Sequence, residues 1–282
     1  MRHKRRIIMK KEPEVYKVIS NVILFAIALL FIFPFYWIIS GSFKLQKVAI
    51  QLPPEWFPKS PTWANYTELF LNPAARWFFN SVWISLASMV LVLLTASMAG
   101  YVLAKKRFTG RKIIFSILIM AMALPKQTVL VPLVRLMNTL KLYDSLSAVI
   151  FPAVGWPFGV FLMKQFCETL PTEILEAARI DGANEGKTFV QIVCPIIKPA
   201  FGALAIFTFI STWNDYFLQL VMLSSRENFT ISLGIATLQA EMATNYGVLM
   251  AGATLGALPI VLIFLCFQKY FTNGITMGAV KG

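Results

Sequence analysis

The chain has 282 residues, 57% of them hydrophobic and only 14% charged, and it carries a net charge of +13. Its mean hydropathy of +0.68 represents more apolar surface than one soluble core can hide, so lipid is the solvent this composition asks for. His3 is the only histidine and lies in a basic tail, which leaves a histidine-ligated metal or a histidine-based triad without parts.

Crossing the hydrocarbon of a bilayer takes about 20 mostly apolar residues per helix. Six stretches qualify, at 18–40, 77–104, 111–134, 146–166, 200–223 and 246–268. Before the first lies a tail (1–17) with Arg2, Lys4, Arg5, Arg6, Lys10, Lys11 and Lys17. The apolar run from Val22 to Ile39 is long for a signal peptide and no small-x-small cleavage site follows, so it is expected to stay as a span. The next loop holds Pro53, Pro54, Pro58 and Pro61 and several aromatics, which predicts a turn-rich cap with a short helix around Asn65 to Leu71. In the third span Lys126 stands between Pro125 and Pro132, which predicts a kinked or irregular outer half. The lysine either serves there or snorkels to the interface.

The basic residues are spread over short loops and the ends of apolar runs, as topology signals are and nucleic-acid patches are not. Eighteen of the 26 Lys and Arg fall in the N-terminal tail, the 105–112 loop, the 164–198 loop and the C-terminal tail. Both termini and those two loops are therefore expected in the cytoplasm. Cys167, Cys194 and Cys266 all fall on or near that side, so no disulfide framework is indicated and they read as small buried apolar residues.

The one long polar cytoplasmic segment, 165–199, reads as two short helices around a turn. Thr172 is the expected N-cap of a helix through Ile180, Asp181 and Gly182 break it, and a second helix from about Glu185 to Val193 ends before Pro195. Ile174, Leu175 and Ala178 form an apolar ridge that asks for a partner groove. The spacing of Glu176-Ala177-Ala178, Gly182, Ile192 and Cys194-Pro195 resembles the EAA signature of ABC importer permeases, with Cys194 where leucine is usual.

The resemblance extends to Pro53–Phe70, Asn80-Ser81, Ala99–Gly110, Trp213-Asn214-Asp215 and the ending Asn273–Gly282, which look like the carbohydrate-uptake class, near the second permease of maltose-type systems. It implies an all-α polytopic membrane protein of about six transmembrane helices with the type I ABC importer permease fold, a single permease domain over 1–282 in a bacterial cytoplasmic (inner) membrane. It also implies a second homologous permease, two cytoplasmic ATPase subunits and an extracytoplasmic solute-binding protein as partners. No cofactor is expected in this chain, since ATP and magnesium would be bound by the ATPases. Coupling to them would fall to Glu176, Ala177, Ala178, Asp181 and Gly182. The C-terminal tail (269–282), through Gly274, Thr276, Gly278 and Lys281, would reach between them.

Gly182 to Thr188 nearly spells a phosphate-binding loop, but Asp181 stands where the first glycine is required and no strand precedes it. Hydrolysis is thus expected from a partner. In the fifth span Asp215 is an acidic residue costing roughly 2.5–3.5 kcal/mol at a helix centre, so it should face protein or water. With Gln219 four residues on, and Trp213, Asn214 and Phe217 beside it, it forms the expected substrate path, since sugars need hydroxyl partners and aromatic faces. The competing use of the same residues is bonding to a neighbouring helix. A permease for a sugar or oligosaccharide is the function these features support. A non-carbohydrate ABC permease, or a passive channel or secondary transporter, is the alternative, though neither of the last two accounts for the 165–199 loop.

The topology is directly testable. A single cysteine at position 176 should resist a membrane-impermeant thiol reagent in intact cells and react after permeabilisation; labelling from outside would reverse the orientation.

Overall fold

The computed structural model describes residues 14–241 and 245–279, with side chains through 269, and every regular element among them is helical. The elements that matter are α1 (Glu14–Ser42), α2 (Ala64–Phe70), α3 (Ala74–Lys105), α4 (Arg111–Met122), α5 (Leu130–Thr139), α6 (Leu146–Val154), α7 (Phe158–Glu168) and α8 (Thr172–Ile180). They continue with α9 (Lys198–Trp213), α10 (Tyr216–Met222), α11 (Ile231–Glu241) and α12 (Tyr246–Ala279).

Four stretches are long and apolar enough to cross a membrane: Glu14–Ser42, Ala74–Lys105, Leu146–Glu168 and Tyr246–Lys269. Counting each of two bent helix pairs as one gives six. The third expected span is one of these pairs, Arg111–Met122 with Lys126–Thr139, bent by 103°. The fifth is divided: α9 ends at Trp213 and α10 starts at Tyr216. At its other end α9 meets the Glu185–Ile196 segment at 78°.

The 32-residue α3 is the centre of the bundle, about 48 Å long at 1.5 Å per residue. It packs on α6, α7 and α9, while α12 closes the far side against α9 and α1. Its inner face is small and hydroxylic, with Ser81, Ser85, Ser88, Ala96 and Gly100 all buried. Small residues let helices approach closely where lipid supplies no hydrophobic drive between them. At Gly100 a Cβ would lie 2.7 Å from both the Lys164 backbone nitrogen and the Met163 Cβ. From the opposite side, a Cβ on Gly159 of α7 would sit 3.0 Å from that of Ala96.

The proline-rich loop after α1 folds as a cap. Asn65 of α2 donates to the carbonyls of Ser42 at 2.8 Å and Lys44 at 2.7 Å. Tyr36 and Ser40 both donate to the Trp56 carbonyl. The Asn80-Ser81 pair gains a physical meaning: Asn80 donates to the carbonyls of Glu227 and Phe229, both at 2.9 Å, and Ser81 accepts from the Ile231 amide at 2.8 Å. These bonds pin the start of α11 to α3.

At the C-terminus α12 continues as helix through Ala279, past the expected end of the sixth span. Gly274, Thr276 and Gly278 lie on that helical backbone, and Lys281 lies outside the described residues.

The seam between α3 and α7 yields a stability prediction. Gly100→Val should lower the melting temperature in detergent through overpacking of about 1–3 kcal/mol. Gly256→Ala, where a Cβ meets nothing within 4 Å, should not. Equal melting temperatures for both variants would deny the tight seam.

Candidate functional site

Three interruptions of the spans converge. Lys126 opens the short 3₁₀ turn Lys126–Val129 after the α4 break, Trp156 lies between α6 and α7, and Asp215 lies between α9 and α10. The Lys126 ammonium donates to Asp215 Oδ2 at 3.2 Å and stands over the Trp156 ring, 4.9 Å from its centroid. Lys126 thus turns into the protein instead of reaching for the interface.

The three residues line a cleft of about 820 Å³, counting the space at its mouth, whose walls also include Phe207, Ser211, Thr212 and Phe217. Irregular backbone inside a membrane is tolerated where protein or a water-lined cavity surrounds it, and this cleft is such a place.

The five residues expected to form the substrate path divide. Asp215 and the exposed Phe217 line the cleft. Trp213 is buried, stacks on Phe209 with ring centroids 5.6 Å apart, and donates its indole N–H to the Gly256 carbonyl at 3.1 Å. Gln219 is buried as well. It donates to the Thr212 carbonyl at 3.0 Å and accepts from the Thr230 hydroxyl at 2.5 Å, tying α10 to α9 and to the start of α11. Asn214 is exposed at the break. The shared helical face expected for Asp215 and Gln219 does not form, because the helix restarts at Tyr216. Asp215 instead caps α10, its Oδ1 accepting from the Leu218 amide at 3.4 Å.

The 165–199 loop is a second centre. Helix α8 covers Thr172–Ile180 as expected, but Pro171 holds the cap position and Thr172 makes no capping bond. The helix ends in a glycine turn: the Gly182 amide donates to the Arg179 carbonyl at 3.0 Å, and the Ala183 amide to that of Ala178 at 2.9 Å. Gly182 has φ +78°, a conformation glycine adopts without cost. The following helix does not stop before Pro195. A π-helical stretch, Thr188–Val193, widens the turn ahead of the proline, and helix continues to Ile196.

The apolar ridge also needs correcting. Leu175 and Ala178 are buried within the chain, Leu175 against Cys167, Leu170 and Val193. The surface that α8 leaves free carries Ile174, Glu176, Ala177 and Ile180, with Asp181 and Gly182 exposed just beyond.

Glu185, which the sequence offered only as the start of the second loop helix, is the tie between this loop and α3. Its carboxylate pairs with Lys106, accepts from Arg179 of α8 at 3.1 Å and from the Tyr101 hydroxyl at 3.3 Å. The Lys106 hydrogen bond, against a smaller opposing effect of burial and with help from Arg179, holds its carboxyl below the ordinary range. Next to it, Lys105 donates to the carbonyls of Glu168 at 3.3 Å and Leu170 at 2.6 Å, closing the end of α7.

Two unequal centres in one helical membrane protein, a cleft at broken spans and a structured loop, are what a transport component requires. The family model described as "Binding-protein-dependent transport system inner membrane component" matches residues 94–277. This chain belongs to that family. It is 38% identical over 274 residues to the arabinooligosaccharides transport system permease protein AraQ of Bacillus subtilis, covering 95% of this chain and 97% of that one. It is 32% identical to the sulfoquinovosyl glycerol transport system permease protein SmoH of Agrobacterium fabrum, over 89% of this chain and 89% of that one. Among solved structures, a chain of a bacterial ABC transporter involved in the import of the acidic polysaccharide alginate superposes with a TM-score of 0.78 at 22% identity, covering 93% of this chain and 98% of that one.

As a permease, the chain contributes the membrane component of the system. The Gly182–Thr188 stretch is accordingly a helix-ending turn followed by an Asn184-capped helix, the Asn184 side chain accepting from the Lys187 amide at 2.9 Å. Sequence reasoning missed Trp156 and Glu185. Gly155 and Pro157 flanking Trp156 were the available signal, since glycine and proline together mark a break in an apolar run.

A double-mutant cycle on Lys106→Met and Glu185→Gln should return a coupling of about 0.2–1 kcal/mol, the range for partly exposed pairs. Because the folded-state carboxyl is depressed, this contribution is complete above the ordinary carboxylate value and is lost as pH falls through the lower folded value. Hydrogen exchange of α8 followed through an acid titration reads it, and a coupling of zero would remove Glu185 as a tie.

Proposed function

We propose that this chain is the permease subunit of an ATP-driven importer of a sugar or oligosaccharide, forming the translocation path and coupling it to separate ATPase subunits. The observation that carries the reading is near full-length similarity, at 38% identity, to a permease named for arabinooligosaccharides. The cleft suits that class: Phe207, Phe217 and Trp156 offer ring faces, and Ser211 and Thr212 offer hydroxyls.

In this reading the single permease domain sits in the bacterial inner membrane with both termini cytoplasmic. It pairs with a second, homologous permease and receives solute from an extracytoplasmic binding protein. ATP and magnesium belong to two partner ATPases, and this chain holds no cofactor. Helix α8 docks in an ATPase groove by the face that it leaves free, with Ile174, Ala177 and Ile180 supplying apolar contact and Glu176 a charge for orientation. Gly182 sets the angle at which that helix leaves the loop. The C-terminal segment bearing Gly274, Thr276, Gly278 and Lys281 supplies a further contact.

The experiment is uptake of radiolabelled arabinotriose by proteoliposomes holding the permease pair, its ATPases and its binding protein. ATP-dependent accumulation supports the reading; none with arabinotriose or other neutral oligosaccharides overturns the carbohydrate assignment. Gly182→Leu should insert normally, since a Cβ there meets only open space, but should strain the turn by about 1 kcal/mol or more. Transport is expected to fall with loss of ATPase retention or of its response to loaded binding protein. Wild-type uptake and retention in that variant would refute the coupling role.

A further inference from the structure

We propose that the Lys126–Asp215 ion pair is a charge filter that makes the cleft select uncharged oligosaccharides over acidic ones. The inference rests on the sugar-permease reading and adds to it the electrostatic class of the solute and the two residues that set it.

The two charges face each other across 3.2 Å at the wall of the cleft, with side chains 40% (Lys126) and 19% (Asp215) exposed. Partial burial lowers the effective dielectric, so the pair interacts more strongly than it would in bulk water. Trp156 covers the lysine from another side at 4.9 Å, where the ring's negative face also favours a cation. The ammonium is therefore held between a carboxylate and an aromatic face, and the wall as a whole is neutral.

A neutral sugar can use such a wall without breaking it. Its hydroxyls accept from the ammonium and donate to the carboxylate, while its C–H faces lie on the Trp156 and Phe217 rings. A uronate cannot. To gain Lys126 its carboxylate must displace Asp215, which is then left as an uncompensated charge in a partly desolvated site, and removing one partner of such a pair is the costly operation. If it leaves the pair intact, it meets Asp215 as a like charge. The discrimination is therefore by penalty against the wrong solute, not by extra attraction for the right one.

The filter has a sign, and the sign separates it from a merely structural role. Asp215→Asn is isosteric, keeps the hydrogen-bond acceptor, and leaves Lys126 as net positive charge: affinity for an acidic sugar should rise relative to a neutral one. Lys126→Gln leaves Asp215 as net negative charge, and the same ratio should fall. A structural pair, if broken from either side, would weaken binding of both sugars in both variants and leave the ratio unmoved.

The test measures equilibrium binding of radiolabelled arabinotriose and trigalacturonate to the detergent-purified permease–ATPase complex without the binding protein, whose own selectivity would otherwise mask the cleft. We expect the parent to prefer arabinotriose, the trigalacturonate-to-arabinotriose ratio to rise about tenfold in Asp215→Asn, a shift equivalent to about 1.4 kcal/mol, and to fall in Lys126→Gln. The double swap Lys126→Asp, Asp215→Lys should return it toward the parent value, which keeps the test decisive if a single variant assembles poorly. Unmoved ratios, or ratios moving the same way in both single variants, overturn the filter while leaving the sugar reading standing. A parent complex that binds neither sugar overturns the sugar reading itself, and the filter with it.

Discussion

Inside a bilayer no water is available to satisfy backbone polar groups, so each helix interruption must find its hydrogen bonds within the protein. This chain interrupts three of its spans, and the way those interruptions are satisfied organises the structure. At the α9 to α10 break neither glycine nor proline is present. Asp215 and Gln219 supply what the backbone loses: the aspartate oxygen accepts from the Leu218 amide, and the Gln219 amide donates to the Thr212 carbonyl at the end of α9. The other two breaks lean on proline, Pro125 ahead of the 3₁₀ turn and Pro157 ahead of α7, where a missing N–H leaves one donor fewer to satisfy. One lysine joins all three, because its ammonium reaches both Asp215 and the Trp156 ring.

How much of this could be read from residues alone follows from the range of the interactions involved. The helices, the cap after α1, the α8 boundaries and the turn at Gly182 are set by local signals: apolar run length, prolines, and a glycine placed where a helix must end. The family was legible for the same reason, since its motifs are local strings. The cleft was legible in part, with Asp215 and Lys126 each standing out as a charge in an apolar stretch. That they meet is a contact across 89 residues of sequence, which no periodicity encodes. The helical-wheel argument for Asp215 and Gln219 failed for a definite reason: a face exists only while the helix continues, and the acidic residue that suggested the face is itself the cap that restarts the helix.

The same distinction explains the loop. Leu175 and Ala178 have the spacing of a docking ridge, but hydrophobic spacing cannot say which apolar side chains the chain will cover itself. Leu175 goes under the loop, against Cys167 and Val193, which fixes α8 to the membrane domain. The face left over, with Ile174, Ala177 and Ile180, is thereby turned outward. Glu185 adds a second fixation through Lys106 and Arg179, so α8 is held both by packing from beneath and by charge from its side.

Those attachments make the two centres mechanically continuous. Lys105 and Lys106 at the end of α3 grip the carbonyls that close α7 and the carboxylate that holds α8. From there α7 runs back over 11 residues, about 16 Å at 1.5 Å per residue, to Phe158, two residues beyond Trp156. Along that length Gly100 and Gly159 let α3 and α7 touch without clearance, so the pair has little freedom to shear. The contacts from α8 through the end of α3 and along α7 accordingly run unbroken to the break that carries Trp156. The cation there is shared by Trp156 and Asp215, which sit on different helix pairs, so a shift of one relative to the other changes the contact that closes the wall of the cleft.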